Sequence, residues 1–292
     1  MRQRQTVLVA GATGNIGGGA AVALARRGAH VALLGRKPDT LDARADSIRA
    51  ALSEAGIEDL AIETLVIDFS DMDSVRFAAT DALNRFPMID GLVLSVVALV
   101  QNGPNILPNG HEVMFATNVM GPFLFTQLLM ERMQQSDALV LEVIKPSHKD
   151  IMWDDLESIQ RHNTDVAYNR TKTMNRVIAA ELARRYAGKI SSIAFNPSFI
   201  IDRDDPALNE KWPEGFMGFF WRVLTAVAAK PPSVAGEPIA DLMLSYPDRQ
   251  AINGALFKLD KRVTKPDKAM SDAESGQRLW HELVRITEPS RE

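Results

Sequence analysis

The chain has 292 residues, 46% hydrophobic and 24% charged, with a formal net charge of −4. That length leaves room for one large α/β domain or two small ones, with a full apolar core. Cysteine is absent, which excludes disulfides, thiolate nucleophiles, iron–sulfur clusters and cysteine-based zinc sites. The five histidines, His30, His111, His148, His162 and His281, are scattered without metal-ligand spacing, so no metal is expected. Mild negative charge argues against nucleic acid as a partner, because a phosphate binder needs a basic face. Met1 to Gln5 lacks the apolar core of a signal peptide. No apolar run reaches the roughly 20 residues that cross a bilayer. The expectation is a cytoplasmic chain with no transmembrane segment.

From residue 6 to about 200, short β-rich runs alternate with longer helical stretches, the pattern of a parallel sheet with helices on both faces. In chain order the expected elements are a strand Thr6–Ala10, helix Gly17–Arg27, strand His30–Leu34, helix Pro38–Glu54, strand Ala61–Ile67 and helix Ser74–Arg85. Strand Gly91–Val97, helix Val113–Met133, strand Ala138–Ile144, helix Val166–Tyr186 and strand Ile190–Asn196 follow. Several of these strands are apolar nearly throughout, as burial on both faces requires. Helix Ser233–Leu244, a seventh strand at Ala255–Leu259 and a short helix around Ser275–Ile286 complete the series. Asp71 to Ser74 and Ser233 are expected helix caps. The whole chain, 1–292, reads as a single domain with an insertion at about 202–232.

The first strand runs into Gly11-Ala12-Thr13-Gly14-Asn15-Ile16-Gly17. Gly11 can turn tightly, Gly14 lets the backbone approach a pyrophosphate, and Gly17 allows close helix–strand packing. N–H groups at the helix start then face negative phosphates. The alternative is a tight turn that holds no ligand. The second strand ends Leu34-Gly35-Arg36-Lys37, where an NAD-selective site would carry an acidic residue. Arg36, with Lys37 beside it, can instead pair with a 2′-phosphate and stack on adenine, so NADP(H) is the expected cofactor. A solvated surface charge is the plainer role for Arg36.

Tyr168 and Lys172 lie one turn apart on one face of an expected helix. A free tyrosine, with a pKa near 10, is a poor proton donor at neutral pH, and a nearby ammonium favours the phenolate. With the glycine turn, Gly35-Arg36, Asp68-Phe69, Asn118 in Thr117–Phe123 and Asn196-Pro197-Ser198, the chain resembles the short-chain dehydrogenases/reductases over nearly its whole length. Asp154-Asp155-Leu156 and the stretch from Gly254 to Trp280 resemble the retinol-dehydrogenase-like branch. The resemblance implies a Rossmann-type, doubly wound parallel sheet of about seven strands. It also implies that Tyr168 exchanges the proton on the substrate oxygen. Lys172 would hold the nicotinamide ribose and lower the pKa of Tyr168, and Asn118 would support a water relay behind it. Asp68 and Phe69 would frame the adenine, Pro197 would line the cofactor, and the backbone of Ile200 would meet the carboxamide. On the residues alone, Asn118 could equally bond to backbone as a structural residue, and Asp68 could cap a helix.

Three positions depart from the family pattern. Leu94-Ser95-Val96-Val97 stands where the family has Asn-Asn-Ala-Gly, which puts Val96 against the cofactor. Lys145 aligns with the serine that binds the substrate carbonyl, and Ser147 follows two residues later. A small shift around Pro146 would bring Ser147 into that role; otherwise Lys145 or a substrate group supplies the hydrogen bond. Pro197-Ser198 replaces Pro-Gly. The aromatic run Trp212–Trp221 falls where the family places its substrate lid, and Phe216, Phe219, Phe220 and Val223 recur at helical spacing. A lipophilic small-molecule substrate is therefore expected, with core packing, a homo-oligomer contact or a peripheral membrane contact as other uses of that face. The function expected is interconversion of a carbonyl and an alcohol. A nucleotide-binding redox sensor without turnover is the alternative.

Overall fold

The computed structural model describes residues 4–145, 149–201, 230–246, 248–265 and 267–288. Eight strands form one sheet in the order β3-β2-β1-β4-β5-β6-β7-β8. They are β1 (Thr6–Ala10), β2 (His30–Gly35), β3 (Ala61–Val66), β4 (Gly91–Leu94), β5 (Leu139–Val143), β6 (Ser191–Asn196), β7 (Leu256–Lys258) and β8 (Lys261–Arg262). All neighbours pair in parallel except β7 with β8. The two-residue antiparallel β8 has no sequence signal, being polar and short. The other strands occur where their apolar runs predict them, except that β4 ends three residues early, at Leu94.

The helices are α1 (Asn15–Arg26), α2 (Pro38–Glu54), α3 (Met72–Arg85), α4 (Val113–Phe115), α5 (Gly121–Gln134), α6 (Thr164–Arg185), α7 (Ser233–Ala240), α8 (Lys268–Ser271) and α9 (Ala273–Thr287). A π-helical turn, Ala116–Met120, joins α4 to α5. By length and composition Val113–Gln134 could cross a membrane, with mean hydropathy 1.4, but 83% of its most apolar window is buried inside the fold. That burial accounts for its apolar character. Asp71 caps α3 as expected, accepting from the Asp73 N–H at 3.0 Å. Ser233 does not cap α7. Pro232 precedes it already in helical conformation (φ −54°, ψ −33°), so Ser233 lies inside the helix, whereas a capping residue needs extended backbone.

Alternation along the strands divides the core in two. Val7 and Val9 of β1 pack with Leu24, Leu41, Ile48 and Ile239 on the α1/α2/α7 face. Leu8 and Ala10 pack with Ala78, Phe125, Val177 and Leu279 on the α3/α5/α6/α9 face. Trp280 of α9 meets Phe123 of α5 edge-on, with ring centroids 5.0 Å apart, and Arg185 of α6 stacks over the same indole at 4.6 Å. These contacts fix α6 on the sheet. The chain passes from β3 at one edge back to β4 beside β1, which makes a crevice at the carboxyl ends of β1 and β4, the usual place for a ligand in such sheets.

Candidate active site

A cleft of about 410 Å³ opens at that switch point, lined among others by Gly11, Thr13, Gly14, Arg36, Phe69 and Val96. The glycines fit a phosphate cradle. A Cβ on Gly11 would lie 2.6 Å from the Ser95 carbonyl oxygen, and one on Gly17 would lie 2.4 Å from that of Gly11. Gly11 also has φ +75°, a conformation that favours glycine. Gly14 is different: its nearest neighbour would be 3.4 Å away, so the missing side chain leaves open space. Helix α1 starts at Asn15 and Ile16 with no side-chain cap and no acidic residue in its first turn, which leaves its N-terminal dipole facing an anion. Arg36 and Lys37 are exposed beyond Gly35, and Arg36 lines the cleft. These residues fit a dinucleotide.

A larger groove, about 1000 Å³, lies at the opposite ends of the strands, lined by residues including Arg4, Arg27, Asp90 and Arg249. Its arginines are engaged: Arg4 with Asp59, Arg27 with Glu237 and Asp241, and Arg249 with the carbonyls of Asp90, Asp137 and Met243. It holds none of the Tyr168 constellation.

Strand β4 stops at Leu94 rather than running to Val97. The Ser95 N–H still bonds to the Ala10 carbonyl of β1 at 3.1 Å; from Val96 on, side chains of distant elements hold the backbone. Lys172 Nζ donates to the Val96 carbonyl at 3.3 Å. Asn118, in the π-helical turn, accepts from the Ala98 N–H at 2.6 Å and donates to the Ala98 carbonyl at 2.9 Å and to Thr171 Oγ1 at 3.2 Å. Asn118 therefore bonds to backbone and ties the cleft wall to α6, the structural one of its two expected roles. Asp68 spends one carboxylate oxygen on the Ser70 N–H and hydroxyl, at 2.9 and 2.7 Å. It shapes the turn before α3, while Phe69 is buried with its edge on Phe125.

Tyr168 and Lys172 share one face of α6, capped by Asn163, which accepts from the Val166 N–H at 3.0 Å. Tyr168 is half-buried and Lys172 is buried. The expected lowering of the Tyr168 pKa is not what this arrangement produces. Burial pushes its phenol above the ordinary value, and the Lys172 ammonium is turned to Val96. Burial also lowers the Lys172 pKa, against the opposing charge of Glu142. Lys145 Nζ lies 5.5 Å from the centre of the Tyr168 ring, a cation–π approach. Ser147 and the lid segment, 202–229, lie outside the described residues.

Past β6, Ser198 has φ +65° and its N–H bonds to Asn196 Oδ1 at 3.0 Å. A left-handed residue at this point explains the glycine that the family carries after Pro197. Ile200 pairs with Lys230 through the Phe199 carbonyl and the Ile201 N–H, so this bridge does not use the polar groups of Ile200 itself. Glu142, on β5, is a buried carboxylate that no motif reveals. The one sequence signal is its place inside the apolar run Leu139–Ile144.

A family profile described as short chain dehydrogenase matches residues 5–144. Residues 5–144 are thus similar to the short-chain dehydrogenases. Human retinol dehydrogenase 14 is 27% identical over 290 residues, which cover 94% of this chain and 84% of that protein. Among solved structures, Gluconobacter frateurii L-sorbose reductase, complexed with NADPH and L-sorbose, superposes with a TM-score of 0.69 at 16% identity, covering 91% of this chain and 98% of that one. A blue fluorescent protein from a metagenomic library, in complex with NADPH, gives 0.65 at 20% identity, covering 88% and 96%. The chain thus has a Rossmann-like sheet, a first half similar to the short-chain dehydrogenases, and retinol dehydrogenases among its relatives.

Proposed function

We propose that this chain is an NADP(H)-dependent short-chain dehydrogenase that interconverts a carbonyl and an alcohol on a lipophilic small molecule. The observation that carries the reading is the bond from Lys172 to the Val96 carbonyl, which joins the Tyr168 face of α6 to the wall of the glycine-walled cleft at the β1/β4 switch point. Gly11, Gly14 and the start of α1 suit a pyrophosphate. Arg36, with Lys37 and no carboxylate at the end of β2, favours a 2′-phosphate. NADPH in two structural neighbours and retinol dehydrogenases among the relatives support the cofactor and the substrate class.

The bound nicotinamide would supply or accept the hydride. Tyr168 Oη gives the proton to the substrate oxygen in reduction and takes it in oxidation. Lys145 would stand beside the substrate oxygen as a cationic donor in place of a serine hydroxyl. Val97 and Leu99, 54% and 47% exposed, give the mouth of the cleft an apolar lining suited to a lipophilic substrate.

Fluorescence titration with NADPH and NADH, then turnover of retinal and a series of aliphatic aldehydes, tests the reading. NADPH should bind more tightly, and Arg36→Ala should weaken it about tenfold or more while sparing NADH. Tyr168→Phe should lower turnover by about 10²–10⁴-fold with NADPH affinity retained. Equal turnover by that variant, or preference for NADH, would sink the proposal.

A further inference from the structure

A strand buried on both faces has little room for a carboxylate, because an unpaired buried charge costs several kcal/mol. Glu142 nevertheless sits inside β5, only 6% exposed, between Leu94 of β4 and Ala194 of β6 in register. Leu139, Leu141 and Val143 point to the α1/α7 side and Val140 to the α6 side. The two-residue period therefore sends Glu142 to the α6 side. Lys172 and Asn175 are buried there, one helical turn apart. Lys172 carries three N–H donors, of which the Val96 carbonyl takes one.

We propose that Glu142 is the positioning residue of this site: its carboxylate, beneath α6, holds Lys172 charged and in place behind Tyr168. The proposal rests on the catalytic reading of Tyr168 and Lys172. The other charges of α6 near this level are engaged elsewhere, Arg176 with Asp267 and Glu181 with Arg184 and Arg185. Strands β4 and β6 bring only Leu94 and Ala194 beside Glu142. The titratable groups around the pair are thus Lys172, Tyr168 one turn before it, and Lys145 at the end of β5. Burial pushes the Glu142 carboxyl up to about 8, opposed by the charge of Lys172 and by a hydrogen bond from Asn175. Below that pH Glu142 is neutral and Lys172 stands without its counter-charge. Above it the carboxylate keeps Lys172 protonated when burial alone would discharge it.

The test is an NMR titration of the full chain labelled with ¹³C at the lysine ε-carbons, with Lys172→Met to identify the resonance. In the unmodified protein the Lys172 signal should show two inflections, one of them near the Glu142 value of about 8. In Glu142→Gln, which mimics the protonated acid, that inflection should vanish. Lys172 should then lose its proton about one pH unit or more lower, with Glu142→Asp in between. NADPH affinity of Glu142→Gln should match the unmodified protein near about pH 6 and fall about tenfold or more near about pH 9. A role confined to packing would scale affinity equally at every pH. One inflection at the ordinary lysine position would overturn the proposal even if Glu142→Gln fails to fold. The titration needs no substrate, so absent carbonyl turnover with two inflections counts against the enzyme reading alone. Normal turnover with a single inflection counts against Glu142 alone.

Discussion

At the β1–α1 turn the cleft wall is backbone: Gly11, Gly14 and Gly17 shape it by lacking side chains, and every contact lies within seven residues or across to Ser95. Opposite, the wall is the stretch from Ser95 to Val100, backed under α6 by buried polar side chains. Lys172 reaches Val96, Asn118 bridges Ala98 and Thr171, and Glu142 lies beneath. The first wall tolerates no added atom at Gly11 or Gly17. The second depends on groups whose charge is set by burial. The same cleft is thus limited by sterics on one side and by protonation on the other.

The sharpest break in that comparison is steric. Gly17→Ala should destabilise the fold by about 3 kcal/mol in urea unfolding, because its Cβ would sit 2.4 Å from the Gly11 oxygen. Gly14→Ala, with 3.4 Å of clearance, should unfold normally and lose NADPH affinity instead. If both variants lose only stability, Gly14 does not face the cofactor.

On the other wall, Asn118→Ala leaves the Ala98 backbone groups without their partner and should cost about 2 kcal/mol. Amide exchange at Ala98 should accelerate with it. Unchanged exchange would show that the tie is not needed.

The charged wall also predicts a pH slope. Glu142 keeps its proton in the folded state up to about 8, against an ordinary value of 4.5. Between those values the folded chain holds a proton that the unfolded chain has released. Its contribution to stability is therefore full below the lower value and is lost as pH rises toward the upper one. Glu142→Gln should remove up to about 1.4 kcal/mol per pH unit from the slope in that window, read by urea unfolding between about pH 5.5 and 7.5. Parallel slopes for the two proteins would mean that Glu142 is ionised throughout.

The smallest effect lies at Ser198, a serine in the left-handed region. Ser198→Gly should raise stability by up to about 1 kcal/mol, with the Asn196 hydrogen bond kept. A loss of stability would show that the serine side chain earns its place.

Much of this was legible in the sequence where a signal is local. Glycine spacing marked the turn, apolar runs marked seven strands, and the four-residue step from Tyr168 to Lys172 put both on one helical face. The weaker expectations concern residues whose partners are far along the chain. Val96 and Val97 read as strand, yet past Ser95 the backbone turns to side chains, Lys172 at Val96 and Asn118 at Ala98. The effect of Lys172 on Tyr168 was assigned by distance along a helix, whereas burial dominates both groups.

The order of elements, the glycine turn and the shared face of Tyr168 and Lys172 can be read from the chain, because each is written in neighbouring residues with a fixed backbone period. Where β4 ends, what Asn118 holds, and the placing of Glu142 beneath Lys172 emerge in the folded chain alone. Those depend on which side chains a parallel sheet brings together across 20 to 76 residues of chain, and on the burial that the assembled layers impose.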